Sequence, residues 1–145
     1  MKISDKGIKL LHQREGLRLK PYLDTVGVAT IAFGNTFYAD GKKVTMKDKP
    51  LTMAEAVSLG NIIINKFCIG VDKAITSNVN QNQFDACVSF AYNIGMDGFK
   101  KSTVLKRINA NSNDKTIGAA FMMWRKPAEI IGRRKSEVKQ YFENV

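Results

Sequence analysis

The residues from Asn80 to Gly95 constrain the fold more than any other stretch, because they predict a helix that is apolar around most of its circumference. Seven apolar side chains recur there at helical spacing: Phe84, Ala86, Cys87, Val88, Phe90, Ala91 and Ile94. A helix this apolar is expected to run through the middle of a core and to end at Gly95. Other helices must then surround it.

The flanking sequence supplies those helices. Ser4 can cap a first helix, which should end near Gly16. Thr52 and Glu55 have the spacing of a capping box and open a helix that runs to Phe67. Shorter helices are expected over residues 102–110, 117–124 and 132–142.

A different pattern follows Pro21, which disfavours helix for the residue before it. β-forming residues between positions 26 and 33 are punctuated by glycines, and Asp40-Gly41 is a tight-turn signal. We expect a small sheet that continues through residues 37–46. The fold class is therefore α+β and mainly helical.

One folding unit is expected from 145 residues of which 44% are hydrophobic. We predict a single domain over residues 1–145, with a small β-containing lobe over about 12–52, a bridging helix over 53–67 and a helical lobe over 68–145. The N-terminus has neither the apolar core of a signal peptide nor a bilayer-spanning run, so we expect a soluble protein.

The formal net charge of +10 favours association with polyanions such as nucleic acid, anionic lipid or an anionic cell wall. It does not choose among them, and solubility alone is an alternative explanation. Cys68 and Cys87 lie in apolar helical segments and are interpreted as buried thiols in a reducing compartment, with a disulfide as the alternative. With one histidine, His12, and no CxxC pair, no metal site and no cofactor are expected.

Three residues carry the chemistry that we expect. Glu15 stands at the C-terminal end of a predicted helix, where the helix dipole disfavours a carboxylate. Asp24 follows after eight residues and Thr30 after five more. Two carboxyl groups in different surroundings can divide acid and base work while a hydroxyl holds water, which is the equipment for hydrolysing a glycosidic bond. Taken singly, each has a plain alternative: an exposed ion pair for Glu15, a turn residue for Asp24 and a strand residue for Thr30.

The spacing of Glu15, Asp24 and Thr30 resembles the signature of the phage-type lysozymes, the endolysins of glycoside hydrolase family 24. PYLDTVGVATIAFGNT is similar to the family pattern Y-x-D-x-x-G-x-x-T-I-G-Y-G-H-T. NQNQFDACVSFAYNIG, STVLKRINA and GRRKSE resemble later motifs of the family, in the same order. The resemblance covers nearly the whole chain.

This resemblance implies a lysozyme-like fold with a cleft between the two lobes, and a muramidase that cuts the β-1,4 bond between N-acetylmuramic acid and N-acetylglucosamine. It implies that Glu15 is the general acid, that Asp24 stabilises the oxocarbenium character and helps to activate water, and that Thr30 positions that water. We expect an inverting enzyme. Asn93 matches a sugar-binding position, although a helix-terminal role is an alternative. Trp124 either packs the helical lobe or stacks on a sugar, and Arg133 and Arg134 either approach Glu15 or form a solvated basic face.

The expected partner is peptidoglycan, bound by a monomer without nucleic acid. The family implies a phage lysin that stays in the host cytoplasm until release, which needs a holin, and then attacks the periplasmic cell wall. The basic C-terminal region, from Arg125 onward, is a candidate for weak contact with the anionic envelope or membrane. A terminal helix docked on the core is the alternative.

Three positions depart from the family pattern: Ala29 in place of a frequent tryptophan, Ala32 in place of a glycine, and Asn35 in place of a histidine. They are expected to alter stability or the shape of the site more than the chemistry. Two other functions compete. A nucleic-acid binder would explain the charge, but the cations are spread without a binding motif. A lytic transglycosylase would leave Asp24 and Thr30 idle.

Overall fold

Helix α3, Gln81–Ile94, is the buried helix that the sequence predicts. The computed structural model describes residues 1–144. Asn80 caps the helix: its side chain accepts a hydrogen bond from the Gln83 amide at 2.8 Å, and the Gln83 side chain accepts one from the Asn80 amide at 3.0 Å. The helix ends at Gly95, whose φ of 89° favours glycine. Every residue from Asn82 to Ala91 is buried.

The remaining elements follow in chain order. They are α1 (Asp5–Glu15), β1 (Arg18–Leu23), β2 (Ala29–Ala32), α2 (Met53–Ala74), α4 (Met96–Lys101), α5 (Thr103–Ala110), α6 (Ile117–Met122), a 3-10 turn (Ala128–Ile130) and α7 (Ile131–Phe142). The fold class is α+β and mainly helical, as predicted.

Packing divides the described chain into two units, residues 9–66 and residues 1–8 together with those from Phe67 onward. Helix α2 is longer than predicted, because the chain stays helical beyond Phe67 as far as Ala74. Within residues 1–144 it is the one helix long and apolar enough to cross a membrane, a composition that core helices share. The bridging role of residues 53–67 stays a prediction.

In the second unit, α3 packs against α7, and α6 packs against both α5 and α7. Phe90 of α3 is the centre of an aromatic cluster, with ring centroids of Phe121 at 4.8 Å, Trp124 at 6.0 Å and Phe99 at 6.2 Å. Cys68 and Cys87 are free and buried, as predicted, and burial raises the pKa of both thiols.

In the first unit, β1 and β2 form an antiparallel hairpin. Arg18 pairs with Ala32, whereas Tyr22 pairs with Thr30, and the change of register marks a bulge between Arg18 and Tyr22. The core beneath the hairpin consists of Ile31, Ala32, Phe33, Val44, Ala56 and Leu59.

The predicted continuation of the sheet through residues 37–46 is wrong. Only a single bridge, Phe37 with Lys43, forms there, around the turn at Gly41. Side-chain hydrogen bonds organise this loop instead: Asp48 accepts from the Tyr38 hydroxyl at 2.7 Å and from the Thr45 hydroxyl at 2.6 Å. Asp and Thr side chains that bond nearby groups in this way compete with ladder hydrogen bonds.

Candidate active site

Glu15 is the last residue of α1, as the sequence predicts. The helix ends there because Gly16, with a φ of 73°, turns the chain while its amide still bonds the His12 carbonyl at 2.9 Å. The last turn of α1 is fixed by His12, whose ring stacks on Phe33 at 4.0 Å between centroids and 11° between planes. The half-buried Glu15 carboxylate therefore projects from a helix end that is anchored to the core of its unit.

Asp24 organises the loop between the two strands. Its Oδ1 accepts hydrogen bonds from the Val26 amide at 3.0 Å and the Val28 amide at 2.8 Å. Its backbone amide donates to the Val28 carbonyl at 3.0 Å, and its carbonyl accepts from Gly27, whose φ is 82°. The predicted turn role is correct, and it holds the carboxylate in one orientation because both side-chain bonds converge on one oxygen.

Thr30 is buried, with 3% of its surface exposed. Its hydroxyl donates to the Val28 carbonyl at 2.8 Å, so its lone pairs remain to accept a hydrogen bond. Val28 thus binds both functional side chains: its amide holds the Asp24 carboxylate and its carbonyl holds the Thr30 hydroxyl. The loop fixes these two groups relative to each other.

Tyr22 connects the three predicted residues. It pairs with Thr30 across the hairpin, so the two side chains lie on the same face of the sheet. Burial raises the pKa of the Tyr22 phenol, the nearby Arg18 cation opposes that rise, and the charges of Glu15 and Asp24 add to it. The structure therefore brings Glu15, Asp24 and Thr30 together around Tyr22, which the sequence marks only as the first residue of the Y-x-D pattern.

Two of the three departures from the family pattern have structural consequences. Ala32 has a φ of 59°, a left-handed conformation that is strained for a residue with a side chain. Asn35 is 2% exposed and links the hairpin to α2, since its Nδ2 donates to the Leu59 carbonyl at 3.1 Å and its Oδ1 accepts from the Phe33 amide at 3.3 Å. Ala29 pairs with Leu23 at the end of the hairpin, and nothing in the structure sets it apart.

The other candidate residues lie in the helical unit. Asn93 is an exposed residue near the end of α3, and its Oδ1 accepts a hydrogen bond from Arg134 Nη2. Trp124 packs edge-on against Phe90 in the helical lobe, and 37% of it stays exposed. Its stacking on a sugar stays a prediction. Asn93, Trp124 and Arg134 are among the residues that line a pocket of about 270 Å³.

Arg133 and Arg134 do not form a solvated basic face. Their side chains are 9% and 2% exposed, and both pair with Glu137, at 3.2 Å and 2.5 Å respectively. Glu137 itself has no exposed surface and also accepts a hydrogen bond from the Ser89 hydroxyl at 2.6 Å. This buried network holds α7 against α3. The approach of either arginine to Glu15 stays a prediction.

Within residues 1–144, no group of histidine, cysteine and carboxylate side chains is placed to hold a metal ion. The side chains around Tyr22 supply carboxylates, a hydroxyl and a phenol, all on a small α+β unit. An all-helical unit adjoins this unit in the sequence. Such a fold and such a set of groups define a class of protein, the lysozyme-like glycoside hydrolases.

Comparison with known proteins gives the family. The phage lysozyme family model matches residues 12–137. The chain is 36% identical over 145 residues to the endolysin of Salmonella phage P22, with 94% of this chain and 95% of that protein covered. It is 37% identical over 144 residues to the endolysin of Bacillus phage PZA, covering 94% of this chain but 54% of that protein's length.

A solved structure, the endolysin from Escherichia coli O157:H7 phage FAHEc1, superposes with a TM-score of 0.92 at 34% identity, covering 100% of this chain and 96% of that one. The chain belongs to the phage lysozyme family.

Proposed function

We propose that Glu15, Asp24 and Thr30 carry the hydrolytic reaction of this endolysin. As a phage lysozyme the chain is a hydrolase that acts on peptidoglycan, and the muramidase reaction cleaves the β-1,4 bond between N-acetylmuramic acid and N-acetylglucosamine. The observation that supports these residues most directly is the Val28 link, which holds a carboxylate and a hydroxyl side by side.

Glu15 is the general acid, which donates its proton to the glycosidic oxygen as the bond breaks. Asp24 is oriented by the two backbone amide hydrogen bonds that its Oδ1 accepts, and the negative charge of its carboxylate stabilises the oxocarbenium-like transition state. Thr30 has its hydroxyl hydrogen committed to the Val28 carbonyl, so it binds water as an acceptor and orients that water for attack.

Inversion is the stereochemical course that we propose, with Asp24 activating a water molecule on the face of the sugar opposite to Glu15. Inverting enzymes separate their carboxyl groups by about 6.5–9.5 Å to admit that water, against about 5 Å in retaining enzymes. Proton NMR of the first products distinguishes the two courses: an initial α anomer supports inversion and an initial β anomer refutes it.

The experiment that tests the site is digestion of purified Gram-negative peptidoglycan by the intact protein, Glu15→Gln and Asp24→Asn, with products identified by mass spectrometry. Reducing muropeptides from the intact protein, and almost none from folded Glu15→Gln, support the assignment. A 1,6-anhydro product would identify a lytic transglycosylase. Full activity of Glu15→Gln would refute the general acid.

Asn93 is a further proposed substrate-binding residue. Arg134 already holds its Oδ1, so its amide nitrogen is the group that would donate to a sugar. Asn93→Asp keeps the acceptor for Arg134 but removes that donor, and it should raise KM with little change in thermal stability. An unchanged KM would refute substrate binding by Asn93 and leave only its role at the end of the helix.

Outside the site, we propose that the chain is a monomer and waits in the host cytoplasm until a holin releases it to the cell wall. Expression in bacteria without a holin should leave cells intact until chloroform is added, and immediate lysis would contradict this. A weak contact between the exposed C-terminal cations, such as Lys135 and Lys139, and the anionic envelope is also proposed. Binding to phosphatidylglycerol vesicles that survives Lys135→Glu with Lys139→Glu would refute that contact.

A further inference from the structure

Tyr22 lies at the centre of the proposed site but has no part in the reaction as described so far. It stands on β1, directly across from Thr30 and two residues before Asp24. Because paired residues of an antiparallel hairpin place their side chains on the same face, the half-buried phenol lies beside the Thr30 side chain.

The ring of Tyr22 is held from one side by a cation. The guanidinium carbon of Arg18 lies 4.9 Å from the ring centroid, within the range of a cation–π contact. The register change between Arg18 and Tyr22 marks the bulge in β1, and bulges re-aim side chains next to active sites. The ring is therefore held in part by a residue of its own strand.

The hydroxyl of Tyr22 differs from those of two other tyrosines. Tyr38 donates to Asp48 at 2.7 Å, and Tyr141 donates to the Ser112 carbonyl at 2.8 Å. Among residues 1–144 the Tyr22 hydroxyl makes no hydrogen bond to protein. A partly buried phenol usually finds a polar partner, and the groups whose charges act on this one are the Glu15 and Asp24 carboxylates and the Arg18 cation.

We propose that Tyr22 is a substrate-binding residue whose hydroxyl donates a hydrogen bond to an oxygen of the sugar bound between Glu15 and Asp24. The assignment rests on the proposed function, since it needs a glycan at this site. Carboxylates offer acceptors, and the one proton on Glu15 is reserved for the glycosidic oxygen. The site therefore needs another donor to hold a sugar oxygen, and the phenol supplies it.

The phenol keeps its proton throughout the working pH range of a lysozyme. Burial raises its pKa above the ordinary value of 10.0, and both carboxylates act in the same direction against Arg18. Tyr22 is therefore a donor at every pH at which Glu15 and Asp24 can perform their roles, and it adds no ionisation of its own to the pH profile.

Tyr22→Phe removes only the oxygen, and Tyr38→Phe in the same unit is the matched control. One lost hydrogen bond to substrate is expected to lower kcat/KM on peptidoglycan by about tenfold in Tyr22→Phe. Its Tm should stay within about 1 °C of the parent, because no protein hydrogen bond is lost. Tyr38→Phe breaks the bond to Asp48, so its Tm should fall by about 3 °C while its kcat/KM stays unchanged.

Three results would overturn the inference. Tyr22→Phe within twofold of the parent in kcat/KM would show that the hydroxyl does not bind substrate. A Tm loss as large as that of Tyr38→Phe would make Tyr22 structural. An acidic limb of the pH profile that moves in Tyr22→Phe would make its hydroxyl a partner of Asp24 instead of the sugar.

The parent protein and Glu15→Gln, measured in the same assay, separate this inference from the function on which it rests. An active parent, an inactive Glu15→Gln and an unaffected Tyr22→Phe refute the role of Tyr22 alone. An inactive, folded parent refutes the proposed function and this inference with it.

Discussion

The substitution Glu137→Gln tests the buried network that attaches α7 to α3. The Glu137 carboxylate has no exposed surface and binds the Ser89 hydroxyl at 2.6 Å, Arg133 Nε at 3.2 Å and Arg134 Nη1 at 2.5 Å. Glutamine keeps the shape but removes the charge and replaces one acceptor oxygen with a donor. The two buried arginines then lose the carboxylate that pairs with both of them.

The expected loss of stability is large because the charges of Arg133 and Arg134 stay buried after the Glu137 carboxylate is removed. Breaking a buried ion pair by removing one partner costs about 3–5 kcal/mol. A domain of this size has about 5–15 kcal/mol of stability in all, and each kcal/mol shifts Tm by about 3 °C. Glu137→Gln should therefore lower Tm by about 10–15 °C.

The matched control is Glu143→Gln, which removes an exposed carboxylate just beyond the end of α7. Its partner Lys6 is 3.3 Å away, and the two side chains are 59% and 45% exposed, for lysine and glutamate respectively. Screening by solvent limits such a pair to at most about 1 kcal/mol. Both variants are measured by calorimetry and urea unfolding, in low salt and in about 0.5 M salt, where the Debye length is shorter.

The salt dependence separates the two ion pairs. The Glu143 effect should disappear in high salt, whereas the Glu137 effect should persist because the pair is buried. A Glu137→Gln variant within about 1 kcal/mol of the parent would refute the reasoning that the loss of this buried carboxylate is costly.

Three further predictions concern the first unit. A methyl group on Gly60 would overlap the Phe33 ring, so Gly60→Ala should lose about 1–3 kcal/mol in urea unfolding, whereas Gly132→Ala, with nothing within 4 Å of the new methyl, should lose nothing. Ala32→Gly relieves about 1–2 kcal/mol of left-handed backbone strain. It also loses about 0.8 kcal/mol of methyl burial and makes the unfolded chain more flexible, so the free energy of unfolding should change by no more than about 1 kcal/mol. A loss above about 2 kcal/mol by calorimetry would contradict this. Burial lowers the pKa of His12 in the folded state below 6.5, so the unfolded state binds the proton first as the pH falls. The free energy of unfolding should therefore fall as the pH drops through 6.5 toward the pKa of the folded state. A His12→Gln variant should lack this pH-dependent loss, and an identical pH dependence in both proteins would exclude it.

Part of the fold was predictable because its signals are local. The capping box of Thr52 and Glu55, the apolar face of α3 and the stop at Gly95 involve residues within a few turns of one another. The position of Glu15 at a helix end follows in the same way from the glycine after it. Such features need no knowledge of where distant segments lie.

The loop over residues 37–46 shows where local reasoning fails. Its β-forming residues and its Asp-Gly turn predict strands. Asp48, which lies outside that window, accepts a hydrogen bond from the Thr45 backbone amide at 2.9 Å, and that amide is then not available to a strand ladder. Strand propensity describes residues that fit a half-buried sheet surface, and it cannot detect a competing side chain.

Local sequence signals are enough to identify the kinds of residue in the candidate site and their order along the chain: two carboxylates and a hydroxyl near the N-terminus, ahead of a buried helix. Which of them meet depends on the folded chain. The register of β1 against β2 places Tyr22 opposite Thr30, Val28 joins Asp24 to Thr30, and burial turns Arg134 and Glu137 from a basic helix face into a buried ion pair. These outcomes depend on strand pairing and on desolvation, and both are properties of residues brought together from a distance rather than of any one stretch.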